Sequence, residues 1–123
     1  MKHKVFGVVA VALAVAVLCA GARPAKTTYS QGKALYKEKC MICHGVNGKG
    51  NGPAADALSK PPRNFNDPEF WKKKDVDQFI RTQVKKGSAE MPAFSLNDGE
   101  ITAIIDYMSQ AFGKKKPAQP PNS

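Results

Sequence analysis

Histidine is scarce in this chain: two residues in 123, His3 and His44. Cysteine numbers three, and none follows Cys43. Acidic side chains count 10 against 19 lysines and arginines. Nothing reads as a strong strand, and no internal repeat is visible. Each shortage excludes something. A structural zinc site built on C-x-x-C needs a second cysteine pair, which is missing. A redox dithiol needs a surrounding strand–helix pattern, also missing. The basic balance carries no aromatic-interleaved basic motif, so it does not read as nucleic-acid binding. The length allows at most one modest domain, and without strands its class is all-α.

What is present centres on Cys40-Met41-Ile42-Cys43-His44. The pattern C-x-x-C-H is the attachment signature of a c-type haem. Two thiols add to the two vinyl groups of the porphyrin, and the adjacent histidine supplies one axial ligand to the iron. Two intervening residues set the cysteines about one helical turn apart, which suits the vinyl separation.

The N-terminus reads as a leader. Lys2, His3 and Lys4 precede an apolar run over residues 5–18, and Ala20-Gly21-Ala22 supplies an A-x-A cleavage site. The run is short against the ~20 residues that a membrane span needs. Residues 1–22 are therefore expected to be removed on export to the periplasm. Cys19 offers a less favoured alternative, lipoprotein cleavage before an acylated cysteine, but Leu18 stands where a small residue is preferred. Cleavage after Ala22 leaves Cys40 and Cys43 as the only cysteines, both consumed by haem. Loss of Lys2 and Lys4 takes the formal charge from +9 to +7. In an exported haem protein that balance suits docking to an acidic redox partner.

Residues 23–28 read as a linker. A first helix starts near Ser30, with Gly32, Leu35, Tyr36, Cys40 and Cys43 along one face and Gly45 as its stop. Residues 46–53 form a loop. The glycines at 45, 48, 50 and 52 permit two readings: a backbone that passes close to a flat group, or a flexible surface loop. Residues 54–59 allow one helical turn. Pro61, Pro62 and Pro68 make residues 60–68 extended or turning, and Trp71 beyond them should lie against the haem or the core. A second helix spans residues 75–86 with the stripe Val76, Phe79, Ile80 and Val84, and Gly87 stops it. Residues 88–95 form a loop that carries Met91. Asn97 and Glu100 fit a capping box that opens a last helix with Ile101, Ile104, Ile105, Met108 and Phe112 on its stripe, closed by Gly113. Residues 114–123, rich in Lys and Pro, read as a disordered tail.

Once the leader is lost, His44 is the only histidine, so ligation by two histidines of one chain is excluded. The sixth position falls to Met41, Met91, Met108, a lysine, or nothing. Met41 sits inside the attachment motif and cannot reach the opposite face. Met108 lies on an apolar stripe, where a core role is the default. Met91 stands in a loop before Pro92, with 47 residues of chain after His44 in which to reach the distal side. A peroxidase would need distal acid–base groups. Glu90 is the nearest acidic residue and reads as a solvated loop charge, so no enzymatic activity is expected.

From residue 29 to residue 113 the chain resembles the class I c-type cytochromes. Gly32 and Tyr36 match their Gly-x-x-x-aromatic pattern, and Tyr107 matches the aromatic of the C-terminal helix that crosses that glycine. Met91-Pro92 matches the distal ligand loop. Pro53 matches the proline whose carbonyl accepts from the proximal histidine. Arg63 and Trp71 fall where such proteins bond haem propionates. The resemblance implies an all-α cytochrome c fold of three to four main helices around one covalent haem c, with the N- and C-terminal helices crossing. It implies a monomeric one-electron carrier with His44 and Met91 as axial ligands, steered to acidic partners by surface lysines. The alternative is a haem sensor or small-ligand binder with an open or labile sixth position. A domain this small needs a staple, and the haem would supply it.

Overall fold

The computed structural model describes residues 28–113, so the expected leader (residues 1–22), the linker up to residue 27 and the tail (residues 114–123) lie outside the described residues. Five helices follow in order: α1 (Thr28–Lys39), α2 (Met41–His44), α3 (Pro68–Trp71), α4 (Val76–Lys86) and α5 (Asp98–Met108). A 3-10 turn covers Ala55–Ala57, and a π turn, Ser109–Gly113, extends α5. No strand occurs among the described residues. The chain is all-α, as the sequence implies.

The principal packing is α1 on α5. At the crossing, a Cβ on Gly32 would fall on the Ala103 carbonyl and 2.9 Å from the Tyr107 Cβ, so the two backbones touch where side chains would otherwise separate them. Tyr36, one turn further along α1, is fully buried, with its ring centroid 5.4 Å from those of both Tyr107 and Phe112. Only Gly32 and Tyr36 of α1 are buried. Twelve residues with so thin an apolar face are marginal as a free helix, and docking on α5 holds α1 in shape.

The start of α5 is written into its sequence. The Asn97 side chain accepts from the Glu100 amide (2.9 Å), and the Glu100 carboxylate accepts from the Asn97 amide (2.9 Å). A cap of this kind contributes about 1 kcal/mol. Ile101, Ala103, Ile104, Ile105, Tyr107 and Met108 are all buried. The π turn then re-aims the last residues. Phe112 packs on Tyr36 and Tyr107, and the Trp71 ring occupies the space that a Gly113 side chain would need.

In α4, Ile80 and Val84 are buried, but Phe79 is 41% exposed. The stripe is thus narrower than the sequence suggests. Arg81 ties α4 to α5: it pairs with Asp77 and donates to the Asp98 carbonyl (3.2 Å) and the Thr102 hydroxyl (2.9 Å). Lys85 pairs with Asp98 and holds that carboxyl below its ordinary range. Helix α3 is a short element that begins at the end of the stretch expected to be extended or turning. Pro68 stands at its first position, where the missing N–H costs nothing, and the Asp67 side chain caps the Glu69 amide at 3.0 Å. It delivers Phe70 to the core, 1% exposed.

Candidate functional site

The attachment motif nearly continues α1. The Cys40 amide donates to the Tyr36 carbonyl (2.8 Å), and the His44 amide donates to the Cys40 carbonyl (3.0 Å). Cys40 and Cys43 are half-buried and not bonded to each other. Burial, with Cys43 nearby, pushes the Cys40 thiol up to about 12. A redox dithiol works through a thiol of lowered pKa, so this shift runs against that chemistry.

Burial also pushes the His44 imidazole down, opposed by a bond from Nδ1 to the Arg63 carbonyl at 3.2 Å. A carbonyl can only accept, so Nδ1 carries the proton and Nε2 keeps its lone pair. That is the tautomer a metal-binding histidine needs. The Phe65 ring stacks on the imidazole, with centroids 4.5 Å apart and planes 23° off parallel. The ring is therefore fixed by one hydrogen bond and one stacked face.

The backbone partner of His44 differs from the one the resemblance implies. The carbonyl that holds His44 belongs to Arg63, and Pro53 is exposed. The reason lies in the glycine loop, which folds back onto the motif: Gly50, Gly52 and Ala54 donate to the carbonyls of His44, Cys43 and Ile42 at 2.8, 3.0 and 2.9 Å. That carries Pro53 outwards, and a bond from the Phe65 amide to the Gly48 carbonyl (2.7 Å) brings residues 63–65 to the imidazole instead. The glycines are also explained. The flat group against Gly48 is the Phe112 ring, at 2.9 Å from a Cβ placed there, while Gly50 and Gly52 abut backbone carbonyls of Pro62 and Ile42. Trp71 lies against the core, and its single donor goes to the Phe65 carbonyl (2.7 Å). The Arg63 guanidinium is exposed, 5.5 Å from the centre of the Phe70 ring, so Arg63 reaches the site through its backbone.

Met91 is half-buried in the loop between α4 and α5. Its carbonyl accepts from the Ser88 amide (2.9 Å), and the Phe94 amide donates to the Val84 carbonyl (2.8 Å), which folds the loop over the end of α4. Gly87 turns the chain there at φ 70°. Met108 is 3% exposed and belongs to the core. Glu90 is a loop charge open to solvent, as expected, but it is not without partners. Its carboxylate accepts from the Ser59 hydroxyl and amide and from the Lys60 amide, and these hold it below the usual carboxylate range. A cavity of about 410 Å³ separates α1 from the Met91 loop. Leu35 and Lys39 line one side, in the turn that leads to Cys40, and Phe94 and Leu96 line the other.

Sequence reasoning missed Phe65, the Arg63 carbonyl, the Glu90 contacts and one further group. The Tyr36 hydroxyl donates to the Gly45 carbonyl (2.8 Å), inside the core, and so anchors the end of the attachment helix. Burial raises the Tyr36 pKa, so it remains a donor at any ordinary pH. Tyr36→Phe strands that carbonyl and should cost the holoprotein about 1–2 kcal/mol. Denaturant melts of the two proteins check this, and coincident midpoints would refute it.

Two unpaired thiols beside an imidazole whose Nε2 keeps its lone pair suit a haem held by two thioether bonds. No group of three or more His, Cys, Asp or Glu among the described residues could hold a bare metal ion. Comparison with known proteins agrees. Residues 27–108 match the family model described as cytochrome c oxidase, cbb3-type, subunit III. The chain is also similar to cytochrome c-555 of Methylococcus capsulatus (strain Bath), at 30% identity over 120 residues, covering 93% of this chain and 89% of the relative. Both matches run through the attachment motif and the crossing helices, and on that ground the chain belongs to the class I c-type cytochromes, with covalently bound haem c.

Proposed function

We propose that the protein is a periplasmic, monomeric, one-electron carrier with one haem, held by Cys40 and Cys43 and ligated by His44 and Met91. The observation that carries this reading is that the two candidate ligands stand on different segments of the chain, each braced by its own contacts and linked to the other through residues 59–63. His44 is fixed by Arg63 and Phe65. Met91 stands in a loop pinned at Ser88, at Phe94 and at Glu90. Bound haem supplies an iron that cycles between Fe(II) and Fe(III).

The chain's own residues do the rest. His44 presents a neutral imidazole in a set orientation. A Met91 thioether favours the reduced state and raises the potential relative to a second histidine. With both axial positions taken by side chains, no site is left for a substrate. Leu35, Phe94 and Leu96 give the cavity an apolar part beside Glu38, Lys39, Ser95 and Glu100, and the share of it that a haem covers tunes the potential further. Lys33, Lys37, Lys49, Lys73 and Lys74 are exposed and supply positive charge to steer an acidic partner at low ionic strength. No helix among the described residues is long and apolar enough to cross a membrane.

Optical spectra in both oxidation states, with an intact mass on the same sample, test this. The mass should equal the chain from Arg23 plus one haem. The ferric protein should show the weak long-wavelength band of sulfur-to-iron ligation, and Met91→Ala should lose it and bind carbon monoxide when reduced. Persistence of the band in Met91→Ala would mean another ligand. Rapid carbon monoxide binding by the native reduced protein at neutral pH would favour a sensor or ligand binder.

A further inference from the structure

Glu90 is the one acidic side chain beside Met91, and its contacts cross between segments 30 residues apart. One carboxylate oxygen accepts from the Ser59 amide (3.0 Å) and hydroxyl, the other from the Lys60 amide (3.3 Å). Beyond Lys60 the backbone is stiff. Pro61 and Pro62 fix two φ angles in succession, and the next residue, Arg63, supplies the carbonyl that holds His44 Nδ1. A second contact keeps this segment from swinging: the Pro62 carbonyl lies against Gly50, whose own amide is bonded to the His44 carbonyl. Residues 59–63 are thus a short, rigid strap. Met91 is the neighbour of Glu90 at one end, and His44 is held at the other.

We infer that Glu90 is a positioning residue for the sixth ligand: it fixes the Met91 loop to the segment that orients His44, and so resists displacement of Met91 from the iron. The inference rests on the reading of Met91 as that ligand. Glu90 touches no reacting atom and acts only through the loop. The remaining ties of the loop, at Ser88 and Phe94, join it to α4 and its own turn, and do not reach the His44 side. Without Glu90 the loop keeps its shape but loses its reference to the proximal segment. Equilibrium ligation survives, and the frequency with which Met91 leaves the iron rises.

The test uses ferric holoprotein and imidazole as the displacing ligand, at one neutral pH and well below the melting temperature. The rate at which imidazole abolishes the sulfur-to-iron band is read for the native protein, Glu90→Ala, Glu90→Gln, Ser59→Ala and Asp98→Asn. Glu90→Ala should displace about tenfold faster, since it loses every charge-assisted bond of the strap. Glu90→Gln keeps one carbonyl oxygen as acceptor and should recover most of the native rate. Ser59→Ala removes only the hydroxyl and should accelerate two- to threefold. Asp98→Asn breaks a surface ion pair of α5 elsewhere and should leave the rate unchanged. A native rate in Glu90→Ala would overturn the inference, as would equal acceleration in Asp98→Asn, which would mark a general loss of stability. Should Glu90→Ala not fold, Ser59→Ala decides alone, with a native rate overturning the inference. Absence of the band from the native protein would instead overturn Met91 as the ligand.

Discussion

Gly32→Ala is expected to be among the most damaging single substitutions in the chain, although alanine is the better helix former. By propensity alone the exchange stabilises α1 by about 1 kcal/mol. The added methyl, however, would overlap the Ala103 carbonyl and stand 2.9 Å from the Tyr107 Cβ. The first is backbone of a buried helix and cannot rotate away. The helices must separate, and forcing extra volume into a packed interior costs about 3 kcal/mol or more. Overlap wins, and the net loss is about 2 kcal/mol or more. For a domain of this size that lowers the melting temperature by roughly 10–15 °C. A second consequence reaches the site. Cys40 adjoins α1 directly, and its amide is bonded to Tyr36 on the face that would move. Haem incorporation should therefore fall as well. Thermal melts of purified holoprotein, with haem per mole of chain, read both effects. Lys33→Ala, exposed on the same turn, is the control. A Gly32→Ala protein that melts with the native one would mean that α1 and α5 do not cross at this glycine.

The sequence announces those features whose causes are local. The capping box of Asn97 and Glu100 and the stripe of α5 need only neighbours within a few turns, and both are present as expected. Gly87 ends α4 for the same kind of reason. Failure begins where a local rule has an exception or a contact spans the chain. Three prolines read as extended or turning structure, yet Pro68 opens α3 because a first-turn proline leaves no helix bond unmade. A 3.6-residue period extended along α5 puts Phe112 on the core side, and the π turn reaches the same aromatic cluster by a wider coil. At the site, the motif names Cys40, Cys43 and His44, but not what holds the imidazole. That partner is a backbone carbonyl 19 residues away, and any residue type can offer one. The Glu90 contacts to Ser59 and Lys60 have no signature for a comparable reason. A carboxylate that accepts from amides leaves no pattern at the amide end.

Replacing Cys40 and Cys43 together with alanine should leave a chain that does not fold cooperatively, because the core that the protein builds for itself is incompletely covered. Tyr36, Phe70, Ile101 and Ile104 are fully buried, and with Phe65, Ile80, Val84, Ile105, Tyr107 and Met108 they form one cluster around α5. Leu35, Met41, Met91, Phe94 and Leu96 pack against this cluster but are only half-buried, and three of them line the cavity between α1 and the Met91 loop. Full burial of a large apolar side chain contributes about 1.5–3 kcal/mol, so completing the burial of the three half-covered ones that line the cavity is worth on the order of 3 kcal/mol. The whole stability of a domain is about 5–15 kcal/mol, with small domains at the low end. Filling that cavity is therefore a large share of the margin of stability of a small domain. The two thioether bonds add a second effect, because they keep the filling group at its site even when the chain opens. Without them the proposed axial ligands His44 and Met91 would hold it by ligand bonds alone, which opening releases. The double variant should retain part of its helical circular dichroism, melt without a sharp transition, and be cleaved rapidly by protease. Single Cys40→Ala or Cys43→Ala proteins that keep one thioether should fall between. A sharp, native-like melt of the double variant would show that the all-α core around α5 is sufficient by itself, and that the haem is a passenger in the fold.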